Sequence, residues 1–92
     1  MEYFIEENTV DYSLSEQEHI IFNSSDEKLI IINRVAASVW RHLKRQKNTE
    51  EIVQAISDEF KEKDIVRIRK DILNFINELS DVGLVKKVEK ND

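Results

Sequence analysis

At Asn33 the hydrophobic period of this chain changes from that of a strand to that of a helix, and the change divides the sequence into two unlike parts. Before it, Val10-Asp11-Tyr12-Ser13-Leu14 alternates apolar and polar residues, and the runs His19 to Phe22 and Leu29 to Ile32 are rich in β-branched side chains. Three short strands are expected there. Asn23-Ser24-Ser25-Asp26-Glu27 is polar turn chemistry between two such runs, so the second and third strands should form a hairpin.

After Asn33, Val35, Ala36, Val39, Trp40 and Leu43 recur at helical spacing, and the Asn33 side chain suits the cap of a first helix ending near Gln46. Asn48 stands three residues before Glu51, which forms a capping box. Ile52, Val53, Ile56 and Phe60 then line one face of a second helix, ending near Lys61. A third helix should start at Asp64, carry its core stripe on Ile65, Ile68, Ile72, Phe75, Ile76 and Leu79, and stop at Gly83 in a left-handed cap. The pattern implies an α+β fold, a three-stranded antiparallel sheet followed by three helices, in a winged helix-turn-helix-like arrangement.

Length fits this economy, because 92 residues leave room for one core and one domain, 1–92, with a globular part of about 9–86. The segments up to about Asn8 and from about Lys87 read as frayed ends. One glycine and no proline suit a helix-rich chain, and the absence of cysteine excludes disulfides and thiolate metal sites and points to a reducing cytoplasm. The longest apolar run, Leu29 to Ile32, is far shorter than the ~20 residues that span a bilayer, and Met1 to Val10 is acidic where an export signal is basic. No membrane association is expected.

Net charge is −5, with eight acids against Lys28 in residues 1–33 and thirteen bases against eleven acids in residues 34–92. A general nucleic-acid binder carries a positive surplus to neutralise phosphates, and this chain has none overall. Catalytic signals are equally sparse. His19 and His42 lie in different elements, without the spacing of a metal site or a supporting nucleophile motif, and one glycine cannot build a phosphate loop. Neither a cofactor nor a metal is expected. Trp40 falls on the core stripe of the first helix and should be buried. Arg34, Arg41, Lys44, Arg45 and Lys47 form either a solvated basic face or a dock for an acidic partner.

Two features point to a binding surface. On the third helix, Val66 and Leu73 fall together about a quarter-turn from the core stripe, with Arg69 between and Lys70 and Asn77 on the far side. That strip either widens the core face or offers a mixed apolar and basic groove. The third strand, Leu29 to Ile32, is an aggregation risk if its edge stays open, so a helix of the same chain or an added peptide strand should cover it.

The run Leu29-Ile30-Ile31-Ile32-Asn33 into Ala36-Ala37-Ser38-Val39-Trp40, then Asn48-Thr49-Glu50-Glu51-Ile52-Val53, Asp71-Ile72-Leu73-Asn74-Phe75-Ile76, Leu79 and Gly83-Leu84-Val85 resembles the PqqD family, also called RiPP recognition elements, over residues 15–86. The resemblance implies a peptide chaperone of natural-product biosynthesis that binds a precursor's leader as an antiparallel strand on the third strand, against the third helix. It places contacts at Lys28, Leu29, Ile30, Ile31, Ile32, Val66, Arg69, Lys70, Leu73 and Asn77. The implied partners are the leader and a RiPP modifying enzyme, either a radical SAM enzyme or a lasso-type leader peptidase. In the acidic extension, Tyr3, Phe4 and Ile5 could form an extra strand or occupy the groove of the free protein. The alternative function is a winged-helix DNA-binding transcriptional regulator, in which Arg67, Arg69 and Lys70 would meet DNA; across residues 61–82, however, five bases are balanced by five acids.

Overall fold

The computed structural model describes residues 2–6, 8–25 and 27–88. Strands β1 (Glu2–Ile5), β2 (Thr9–Ser13), β3 (Glu18–Asn23) and β4 (Lys28–Asn33) precede helices α1 (Arg34–Lys44), α2 (Thr49–Phe60) and α3 (Ile65–Asp81), and β5 (Val85–Val88) follows. The expected three strands and three helices are all present, in an antiparallel sheet of order β2-β3-β4. Two further strands, β1 and β5, form a separate antiparallel ribbon running from Glu2 opposite Val88 to Ile5 opposite Val85.

That ribbon corrects the expectation of frayed ends for residues 2–5 and 87–88. Leu84 and Val85 are buried in the core and Ile5 packs against it, which anchors both short strands. Of the two fates open to the N-terminal extension, its backbone takes the extra strand, against β5 and away from β4; the side chains of Tyr3 and Phe4, and residues 89–92 of the tail, lie outside what is described.

Each helix starts where an acceptor side chain meets its first free amides. Asn33 accepts from Ala36 N, Asp64 accepts from Arg67 N, and Asn48 with Glu51 forms the reciprocal capping box. Helix α3 ends as its glycine requires. Gly83 has φ +81°, Leu84 N donates to Leu79 O at 2.9 Å, and Gly83 N donates to Ser80 O at 3.1 Å, which is a Schellman cap.

The pleat of the sheet decides what is buried. Ile21, Ile30 and Ile32 point inward, and Ile21 is fully buried in the core cluster that also holds Val39, Trp40, Ile52, Ile76 and Leu79. Trp40 is 2% exposed, as its place on the stripe predicts. Asn23 is a buried polar residue, and its amide is satisfied by donating to Thr9 Oγ1 at 2.9 Å and accepting from Ser25 N at 3.0 Å. Lys44 Nζ reaches Asp11 at 3.0 Å and ties the end of α1 to β2.

Candidate functional site

Strand β4 pairs only with β3 among the described residues, so one of its edges presents free backbone donors and acceptors. Along it, Ile30 and Ile32 turn toward the core while Leu29 and Ile31 remain more than half exposed. Lys28 at its start is the strand's one charged residue. An apolar edge of this kind is a template for strand addition, with main-chain bonds supplying affinity and alternate side chains supplying selectivity.

At its C-terminal end β4 runs directly into a cavity of about 440 Å³. Val35, Ala36 and Val39 of α1, Ile56 and Phe60 of α2, and Ile68 and Ile72 of α3 give it an apolar lining, and Asn33, Glu62, Arg67 and Asp71 supply polar groups. A concave apolar site with a few polar groups is what a side chain from a bound ligand needs. Val35 is 43% exposed despite its place there. Nearby, the Arg34 guanidinium lies 5.9 Å from the centroid of Phe60, a cation–π contact that holds the end of α2 beside the start of α1.

The structure brings together some of the site residues expected from sequence and separates others. Lys28, Leu29, Ile30, Ile31 and Ile32 share the open strand, with Ile32 buried in the core cluster and so a support for the strand more than a contact. On α3, the residues that share the cavity with Asn33 and Val35 are Arg67, Ile68, Asp71 and Ile72. At 100° per residue, Arg67 and Asp71 lie on one side of the Ile68–Ile72 stripe, whereas Arg69, Leu73, Val66 and Asn77 lie on the other and Lys70 stands opposite it. Val66 is exposed and Leu73 partly so, while Lys70 and Asn77 are exposed as well. Arg69 is engaged elsewhere: its Nε and Nη2 donate to the two carboxylate oxygens of Glu50 in the first turn of α2, each at 2.8 Å. The guanidinium hydrogen bonds hold the Glu50 carboxyl below its ordinary range, and the same bonds raise Arg69. Sequence reasoning missed Val35 and Phe60, which look like ordinary members of core stripes; their signal was position, each at a helix end where neighbours cannot cover it.

The basic segment of α1 supplies the remaining polar cluster. Ser38 Oγ donates a short hydrogen bond to Glu59, Arg41 lies 3.6 Å from the same carboxylate, and His42 Nε2 lies 4.0 Å from it. Burial, and then nearby Lys47, push His42 below its ordinary pKa, and its Nδ1 is buried with no partner among the described residues. A serine hydroxyl given to a carboxylate is not activated by an imidazole, so this cluster reads as a link between α1 and α2. No group of metal-ligating side chains converges among the described residues, and none of their helices is long and apolar enough to cross a membrane.

The fold is that of a winged helix-turn-helix-like domain, with an edge strand left open and an apolar pocket at that strand's C-terminal end. The chain belongs to the PqqD family, whose model, coenzyme PQQ synthesis protein D, matches residues 18–85. Two solved structures share the fold. One is TbiB1 in complex with the TbiA(beta) leader peptide, 22% identical with a TM-score of 0.80, covering 94% of this chain and 98% of that one. The other is a lasso peptide synthetase B1 complexed with its leader peptide, 14% identical with a TM-score of 0.79, covering 95% of this chain and 100% of that one. No curated protein matches the sequence.

Proposed function

We propose that this chain is a non-catalytic peptide-binding protein that captures the leader of a ribosomally made precursor peptide by strand addition to β4 and delivers it to a modifying enzyme, a radical SAM enzyme or a lasso-type leader peptidase. The observation that carries this reading is an edge strand, β4, whose last residue, Asn33, lines an apolar cavity at the start of α1. A leader strand antiparallel to β4 satisfies the edge with backbone hydrogen bonds, and one large apolar side chain enters the cavity beside Val35 and Phe60. Family membership and the two leader-bound relatives of the same fold support it. The same reading places the protein in the cytoplasm, in keeping with its lack of cysteine. The even charge of the α3 region gives no support to a DNA-reading role.

The test is fluorescence polarisation with labelled leaders of candidate precursor peptides, sought among the neighbouring reading frames, joined to amide exchange. Saturable binding with new protection at the backbone amides of β4 is expected. Binding without protection of β4, or no binding at all, overturns the reading.

A further inference from the structure

Helix α3 turns a second seam to solvent. Val66, Lys70, Leu73 and Asn77 recur at intervals of four, three and four residues, the spacing by which one helix meets another along its length. At 100° per residue these positions fall within an arc of about 60°, well away from the buried Ile68, Ile72, Ile76 and Leu79. All are exposed, Val66 at 74% and Leu73 at 37%. Arg69, at the edge of the seam toward α2, is already tied to Glu50.

Charge decides what meets the seam. Within α3 every base, Arg67, Arg69 and Lys70, precedes every acid, Asp71, Glu78 and Asp81, and exposed Lys63 stands just before the helix. The two signs balance in number but are separated along the axis. A second α3 laid parallel would set Lys70 against its own copy and Asp81 against its own copy, which is repulsive. Laid antiparallel, with Lys70 beside the second copy's Leu73 and Val66 beside the second copy's Asn77, the seam closes on itself. Lys63 then faces the second copy's Asp81, and Arg67 the second copy's Glu78. The Lys70 stem covers apolar surface while its ammonium stays in water. A uniformly acidic helix from another protein would suit Lys63 and Lys70 but oppose Glu78 and Asp81, whereas a second copy suits both ends.

We propose that the chain self-associates through this seam, α3 against α3 in antiparallel fashion, about a two-fold axis between Asp71 and Ile72. Area sets the strength. One helix from each copy buries on the order of 400 Å² per partner, well short of the ~800 Å² of a stable interface. The pair therefore forms at about 100 µM and above, and the dilute chain is a monomer.

Sedimentation equilibrium of the full chain at low salt, from about 10 µM to about 1 mM, tests this. The average mass should rise from that of the 10.9 kDa monomer toward twice that value. Raising salt to about 0.5 M should weaken the association several-fold, because the facing charges are exposed. Leu73→Asp should weaken it about tenfold or more. Lys63→Glu and Asp81→Lys should each weaken it about threefold or more, since each change acts twice across the two-fold axis. The double variant, in which opposite charges face each other again, should return to within about twofold of wild type, a rescue that a change in helix stability cannot produce. Circular dichroism of each variant separates loss of pairing from loss of fold. A wild type that stays monomeric to about 1 mM overturns the inference and leaves the seam to another protein. Association that survives Leu73→Asp lies elsewhere on the surface and overturns it as well, and a double variant no better than the single ones overturns the antiparallel alignment.

Discussion

Helix α3 has two flanks that look alike in sequence and differ in what stands opposite them. One carries Arg67 and Asp71 beside the core stripe and shares a cavity with Asn33, Val35 and Phe60. The other carries Val66, Arg69 and Leu73 and is tied through Arg69 to Glu50 of α2. Both mix apolar and charged residues, and the second, with Val66 74% exposed, is the greasier on a helical wheel. What separates them is the space they face. The first flank faces a cavity that Asn33, the last residue of β4, also lines, while the second flank borders the start of α2. An exposed apolar strip is therefore weaker evidence for a site than a cavity joined to a free backbone edge.

Stability separates the two flanks most strongly. Ile72 and Leu73 are sequence neighbours, 3% and 37% exposed. Ile72→Ala removes packing from the core and should cost ~2–4 kcal/mol in urea denaturation. Leu73→Ala deletes partly solvated methyls and should cost less than ~1 kcal/mol. Similar losses at both positions would mean that the second flank is buried in solution, by self-association or by a partner segment. Next in size is a binding effect. Val35→Asp places a charge in the apolar lining of the cavity without disturbing the buried core, and leader affinity should fall about tenfold or more by polarisation. Affinity unchanged by Val35→Asp would remove the cavity from the site and leave the other flank as the peptide's wall.

Much of the fold was legible because its signals are local. Caps at Asn33, Asn48, Asp64 and Gly83 mark helix ends within a residue or two, and alternation in Val10 to Leu14 marks β2. The β1–β5 ribbon was only half legible: Tyr3, Phe4 and Ile5 offered an extra strand, but its partner, the four-residue β5 with two lysines at the other end of the chain, gave no local signal of pairing. In the site, β4 was readable from its β-branched run. The flank of α3 was not, because a wheel gives angles within one helix and says nothing of where β4 and α1 lie around it. Val35, Phe60 and Arg67 meet only through the packing of three helices.

A smaller effect is expected where sequence alone placed the contact. Leu73→Asp and Arg69→Glu lie on the flank away from the cavity, and each should leave leader affinity within about twofold of wild type. A larger loss in both would restore the strip of Val66, Arg69, Lys70, Leu73 and Asn77 as the peptide's wall.

The smallest effect belongs to the ion pair that pins that flank. Glu50 and Arg69 are joined by two good hydrogen bonds, but both heads sit in water, where long side chains lose entropy and solvent screens the charge. Glu50→Gln should therefore shift the melting temperature at pH 7 only slightly. The pH dependence has a definite sign. Arg69 holds the Glu50 carboxyl below its unfolded value, so the unfolded chain takes up the proton first; the pair's contribution is present above the unfolded pKa and is lost as pH falls through the folded one. The gap in melting temperature between wild type and Glu50→Gln should thus close on acidification below the ordinary carboxylate range. A gap that widens in acid would show that the pair does not form in solution. A loss of leader affinity in Glu50→Gln at neutral pH would instead show the peptide reading this side of α3, because the substitution leaves the cavity and the β4 edge untouched.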